Sequence, residues 1–257
     1  MAKSILRGLF AVTKRGFSHI SDDPDALHKA IHPVCGLLGY LPGRAGAYWR
    51  QVADYMNKNA LAQQAVREFE EVLAQIDETS ICVDLGANIG SVTRRLAETG
   101  AIVHSFEPDP WTYKQLETNT HDLANVQLYN AAVAAQDGEI TMYRPPGFDE
   151  RPGAHSVAVS MYNSYREGDV TSVNVACINF CRFVSELEAD VDLVKIDIEG
   201  AEVELLEALL ESEAAKKIKN IFVETHYNIF PDQIGRVAEL KRRYANLDSP
   251  HVNFNWP

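Results

Sequence analysis

The stretch "VDLGANIGSVT", residues 83–93, decides how the rest of the chain is read. It begins as an apolar strand, breaks at a glycine, and runs on into a helical pattern through a second glycine four residues later. Asp84 stands two residues ahead of Gly86, and Gly90 opens the helix. A dinucleotide fingerprint would place glycines at the first, third and sixth positions of such a turn. Those positions are Gly86, Asn88 and Ser91, so nicotinamide binding loses support. The pattern D-x-G-x-x-x-G instead predicts a strand-end carboxylate, a glycine where the backbone passes close to a ligand, and a helix-opening glycine. With no pyrophosphate to cradle, the expected ligand is a nucleoside carrying a short charged arm.

Working outward, residues from 80 onward alternate short apolar runs with helical stretches, the signature of βαβ units and a mostly parallel sheet with helices on both faces. Strands are expected at 81–86, 102–107, 126–130, 192–198 and 219–225, and helices at 90–99, 110–122, 200–212 and 232–245. An insertion separates the third and fourth parallel strands. Within it "GEITMYR" (138–144) and "DVTSVNVACI" (169–178) alternate like paired strands around an irregular segment. Residues 1–78 form a separate N-terminal helical region, leaving 79–257 as the main domain. In that region, 49–76 has helical periodicity, as one long helix or as two broken near Asn57 and Asn59. The Gly- and Pro-rich segment 32–48 reads as loop.

Composition narrows the classes. The chain has 257 residues, 46% of them hydrophobic, enough for a large core, and a formal net charge of −12. That charge disfavours nucleic acid as a partner. The cysteines, Cys35, Cys82, Cys177 and Cys181, contain no C-x-x-C pair. Cys177 and Cys181 are spaced to face one another across a helical turn, without the companions a zinc site needs. A reducing, cytoplasmic location fits this usage. No stretch approaches the length of a bilayer span. Residues 1–20 carry Lys3, Arg7, Lys14 and Arg15 among apolar residues. They suit a helix touching an anionic membrane surface or a partner, an organelle-targeting segment, or a helix packed on its own domain. For the region 1–78 a lid, a dimerisation element giving a homodimer, and a tether are all open.

Three more strand ends carry chemistry. "IVHSFEPDP" closes on Glu107, at the distance from the glycine turn where an acidic side chain accepts hydrogen bonds from ribose hydroxyls. In "LVKIDIEGAEVELLEAL" (193–209), Lys195 and Asp197 point to one side of an apolar strand, and a buried lysine needs a partner, Asp84 or Asp197. Asp197 itself lies at the carboxyl edge, where open α/β sheets bind ligands. "IFVETHYNIF" (221–230) brings Glu224 and His226 to the same rim, and a histidine there can take a proton near neutral pH. His28 and His32, spaced for one helix face, lack a carboxylate partner and are not expected to bind metal.

Taken in order, "VDLGANIGSVT", "FEPDP", "NAAVAAQDGEITMY", "VKIDIEGAEVELLEAL" and "VETHY" resemble the FkbM family of S-adenosylmethionine-dependent methyltransferases over roughly residues 80–245. The resemblance implies a class I, Rossmann-like methyltransferase fold. It places Asp84, Gly86, Ala87, Asn88 and Gly90 along the methionine arm and Glu107 on the ribose. It also brings Asn130, Ala131 and Ala132 near the adenine or that arm. It further implies an O-methyltransferase acting on hydroxyls of sugars, glycan chains or polyketide-derived metabolites. The chain departs from the pattern in residues 1–78 and after 245, where little remains for final antiparallel strands, so a sheet of five or six strands is expected.

Such a reaction aligns an acceptor oxygen with an already activated methyl, and a general base helps the hydroxyl. Asp197 and His226 are candidates, with Glu199 behind them because "EGAE" also suits a helix start. A divalent cation held by Asp197 with Glu199 or Glu224 is the other route, and the choice is open. The segment 145–168, with Arg151, His155, Tyr162, Tyr165 and Arg166, is expected to bind the acceptor. Two further readings compete: a non-catalytic nucleoside-binding or scaffold module, and a nicotinamide-dependent oxidoreductase.

Overall fold

The computed structural model describes residues 32, 34–39, 43–150, 159–160, 170–226 and 230–257. The chain divides into two compact units, the first ending at Gln64 and the second spanning Ala65–Pro257. Residues 34–39 are helical, and helix α1 (Gly43–Leu73) runs for 31 residues without a break at Asn57 or Asn59. The expected loop over 32–48 is therefore corrected. Glycine costs a helix only about 1 kcal/mol relative to alanine, so Gly36 and Gly43 do not prevent one.

In the second unit, β1 (Ile81–Leu85), α2 (Ser91–Ala97), β2 (Ile102–Phe106), α3 (Pro110–Thr120) and β3 (Val126–Tyr129) form the first half. A small insertion follows: β4 (Ala132–Ala134), β5 (Gly138–Arg144) and β6 (Thr171–Asn179). The chain then returns through α4 (Phe180–Glu186), β7 (Val191–Ile196), α5 (Glu202–Leu210), β8 (Ile218–Val223), α6 (Ile234–Tyr244) and β9 (His251–Asn253). The main sheet has the order β3-β2-β1-β7-β8-β9, and every pair in it is parallel. Its sixth strand, in the short segment after 245, pairs Asn220 with His251 and Phe222 with Asn253. The insertion forms a separate sheet, β4-β6-β5, in which β5 and β6 pair as their alternation suggests, in antiparallel sense.

Strand residues alternate between two cores. Val83, Leu85, Val194, Ile196, Ile221 and Val223 face α4, α5 and α6, packing on Phe180, Leu205, Leu206 and Leu240. Cys82, Val103, Leu193 and Phe222 face the other way, onto Phe69 of α1, Leu96 of α2 and Trp256. Each fully buried aliphatic or aromatic side chain contributes about 1.5–3 kcal/mol, which fixes the register of this two-sided sheet. Helix starts are chemically specified: Asp109 accepts hydrogen bonds from Trp111 N and Thr112 N with Pro110 as the first helical residue, and Asn179 caps α4 through Arg182 N.

Cys82, Cys177 and Cys181 are free thiols. Cys177 lies in β6 and Cys181 in α4, so they do not face one another along one helix. Among the described residues no helix is long and apolar enough to cross a membrane. The expectations for residues 1–20, His28, and Arg151, His155, Tyr162, Tyr165 and Arg166 lie outside the described residues.

Candidate active site

The strand order reverses between β1 and β7, and at the carboxyl ends of those two strands the chain opens a cleft. It encloses about 600 Å3 counting its open mouth. Its wall includes Gly86, Asn88, Glu107, Ala131 and Ala132 on one side and Asp197 and Glu199 on the other, with Phe106, Met142 and Val159 as apolar surface. Asp84, Ala87, Gly90, Asn130 and His226 do not border it directly.

The turn after β1 is built by close packing. Gly86 has φ 74°, and a Cβ there would sit 1.7 Å from the Asp197 carbonyl oxygen. The glycine is thus required by the neighbouring strand's own backbone, in addition to its place in the cleft wall. Gly90, at φ 96°, leaves room for Leu116 and Thr120 of α3. Asn88 adopts a left-handed φ of 48°, and its buried Oδ1 has no hydrogen-bond partner among the described residues.

Asp84 lies beneath the turn, fully buried, where an unpaired carboxylate would cost several kcal/mol. It accepts a hydrogen bond from Thr93 Oγ1 at 2.7 Å, and its Oδ1 lies 3.4 Å from Lys195 Nζ. The same Nζ lies 3.5 Å from Asp197 Oδ2 and donates to Gly86 O at 2.7 Å. Both partners proposed from sequence for Lys195 are therefore present. Burial alone would depress the lysine's pKa, but the two carboxylates outweigh it and the net shift is upward.

At the tip of β2, Glu107 accepts hydrogen bonds from Asn88 N and Asp109 N, both at 2.9 Å. Desolvation dominates those bonds and pushes its carboxyl up to about 8. Asn130 Nδ2 donates to the backbone oxygens of Glu107 and Pro108, holding the tips of β2 and β3 together.

On the opposite wall, His226 gathers four carboxylates. Its Nδ1 lies 2.9 Å from Glu202 Oε1, and its Nε2 lies 3.3 Å from Glu199 Oε2, 3.9 Å from Asp197 Oδ1 and 4.0 Å from Glu224 Oε1. Burial opposes the imidazolium, but the Glu202 hydrogen bond and the charges of Glu202, Glu199 and Asp197 raise its pKa to about 9. Glu199, at a left-handed φ of 54°, is pushed up to about 7 by burial, with the His226 charge pulling against it. Asp197, Glu202 and His226 each bring one donor atom within 4.8 Å of the others, a donor set that suits a divalent cation. Glu202 was missed by sequence reasoning. Its only signal is the second glutamate of "EGAE", which reads locally as a helix-start residue.

A family model described as the methyltransferase FkbM domain matches residues 84–246. The chain belongs to the FkbM methyltransferase domain family. As an FkbM-domain protein it is an S-adenosylmethionine-dependent methyltransferase. It is 25% identical over 182 residues to the hexuronic acid methyltransferase AglP of Haloferax volcanii, covering 69% of this chain and 70% of that one. It is 26% identical over 172 residues to methyltransferase 1 of Beauveria bassiana, covering 59% of this chain and 67% of that one. Among solved structures, wild-type Trm5b from Pyrococcus abyssi aligns with 70% of this chain and 40% of its own, at 15% identity and a TM-score of 0.33, a likeness too slight to carry an argument.

Proposed function

We propose that this FkbM-domain protein is an O-methyltransferase acting on a hydroxyl of a carbohydrate, glycan or glycosylated metabolite. One observation carries the reading: the glycine turn with Glu107 and the acidic pair Asp197 and Glu199 face one another across a single cleft. Its carbohydrate part is supported by the likeness to a hexuronic acid methyltransferase.

When bound, S-adenosylmethionine supplies a methyl already activated by its sulfonium. Gly86, Asn88 and the buried, unpartnered Asn88 Oδ1 suit its methionine arm, Glu107 its ribose hydroxyls, and Ala131 and Ala132 the adenine. Asp84, Ala87, Gly90 and Asn130 act from behind the wall. Asp84 shapes the turn through Lys195 and Thr93, and Asn130 holds the Glu107 strand tip. The carboxylates opposite also favour a cationic group in the cleft.

The acceptor hydroxyl gives up its proton as its oxygen takes the methyl. Glu199 or Asp197 accepts that proton and passes it to solvent. His226, held as the cation near neutral pH, favours the ionised form of the neighbouring carboxylate that accepts the proton, and being already protonated it ranks behind the two carboxylates as the base. In this reading the methyltransferase domain, expected to begin at 79, extends back to include Phe69 in its core, within the unit Ala65–Pro257, and Cys82, Cys177 and Cys181, free of disulfides, support a cytoplasmic location.

The test is calorimetric titration with S-adenosylmethionine and its homocysteine product, followed by transfer of a labelled methyl to a panel of glycans and glycosides. Micromolar binding and a labelled hydroxyl are expected, with Glu107→Ala losing at least tenfold in affinity. No binding, or labelling only on nitrogen or carbon, would sink the proposal. Chelation with EDTA separates the two proton routes: unchanged transfer leaves a carboxylate as base, and lost transfer assigns activation to a cation.

A further inference from the structure

Glu202 is wholly buried at the start of α5, and a carboxylate withdrawn from water survives only when its oxygens are satisfied. Oε1 accepts from Ile198 N at 3.0 Å, from Gly200 N at 3.1 Å and from the His226 ring at 2.9 Å, while Oε2 accepts from Gly200 N at 3.1 Å. Holding a helix start needs only the backbone bonds. The additional bond reaches across to the end of β8 and grips one nitrogen of a ring whose other nitrogen faces the cleft carboxylates.

The turn between β7 and α5 is fixed from several directions. Ser160 Oγ donates to Glu199 O at 2.5 Å and Gln233 Nε2 to Gly200 O at 3.0 Å. A Cβ on Gly200, at φ 113°, would meet the Phe230 ring at 2.4 Å. Glu202 therefore bonds to a turn that is itself held at the carbonyls of Glu199 and Gly200.

We infer that Glu202 is a positioning residue: it fixes Nδ1–H of His226 toward itself and so presents Nε2 to Asp197 and Glu199. A histidine's tautomer is set by the bond its other nitrogen makes. The groups facing this ring are Glu202 from α5, Asp197 and Glu199 from the turn after β7, and Glu224 from the end of β8. The inference rests on reading this cluster as the proton-handling side of the cleft, but its test does not need turnover.

The experiment is nitrogen NMR of the His226 ring in the full-length, 15N-labelled protein, assigned with His226→Gln and followed from pH 6 to 10. It is repeated in Glu202→Leu and Glu202→Gln. Titration with S-adenosylhomocysteine serves as the check that each variant keeps its cleft. In the wild type, the ring is expected to keep hydrogen on Nδ1 throughout and to deprotonate at Nε2. Glu202→Gln, which keeps an acceptor oxygen, retains that form. Glu202→Leu, with product affinity within threefold of wild type, shifts at least half of the neutral ring to the Nε2–H form. A wild-type ring carrying its proton on Nε2, or an Nδ1–H form that survives Glu202→Leu, overturns the inference. The wild-type spectrum decides the matter alone should the leucine variant not fold. If the ring behaves as expected while no acceptor is ever methylated, the proposed activity falls and the positioning role stands.

Discussion

Gly86 shows how a single residue ties two distant parts of the chain together. With φ 74° and its missing Cβ aimed at the Asp197 carbonyl, it tolerates no side chain. Gly86→Ala is expected to lower stability by about 3 kcal/mol or more, combining left-handed strain with displacement of the β7 end. Thermal unfolding measures this, and cofactor affinity should fall with it. The glycine and its spacing were visible in "VDLGANIG", but their reason was not, because the contact lies 111 residues along the chain in the β1–β7 pairing. The same holds for Glu202, whose relation to His226 spans 24 residues and leaves no local pattern. Asp84, Glu107, Asp197 and Glu199 were legible because each closes a strand, and strand ends converge in a parallel sheet. His226 was legible for that reason too, although its surroundings of four carboxylates were not.

At the scale of elements, α3 illustrates a helix whose start is shared with the insertion. Asp109 caps it, and the same carboxylate receives Arg144 Nε of β5 at 2.6 Å, with the guanidinium over the Phe148 ring. Asp109→Ala should cost about 2–4 kcal/mol, from the lost cap and a mostly buried arginine left with only the exposed Asp149. Chemical denaturation would register the loss. Gly235 in the first turn of α6 is the converse case, since among the described residues nothing lies within 4 Å of where its Cβ would be. Gly235→Ala should raise stability by about 0.5–1 kcal/mol in the same measurement. The long periodic elements matched their sequence expectations to within a few residues. The three-residue β4 escaped because it spans too few alternations to show a period, and the seven-residue α4 because no glycine turn announces its start as one does for α2 of the same length.

For the whole molecule, three groups around the cleft share one direction of shift. Glu107 rises to about 8, Glu199 to about 7 and His226 to about 9, so the folded protein binds more protons than the unfolded chain across that range. Stability tied to a raised pKa is complete below the unfolded value and is lost as pH climbs through the folded one. For the glutamates the loss begins above their ordinary value of 4.5, and for His226 above 6.5. Asp122, drawn down to about 2 by Arg94, works in the opposite sense at low pH. Melting temperature should therefore peak between about pH 4 and 5, decline from there as the glutamates ionise, and fall further toward 9 as His226 deprotonates. Glu107→Gln should flatten the part of that decline between 4.5 and 8, and a melting series in matched buffers checks it.

The outermost strand has a practical consequence. Just beyond β9, Phe254 and Trp256 are buried, and the indole packs on Phe69 at 4.5 Å and Phe222 at 5.9 Å between ring centroids. The stretch after β9 thus closes both hydrophobic layers, Phe254 against Tyr244 in one and Trp256 against Phe69 and Phe222 in the other. Trp256→Ala would therefore unplug the layer of Phe69 and Phe222, an opening that a fall in melting temperature would register.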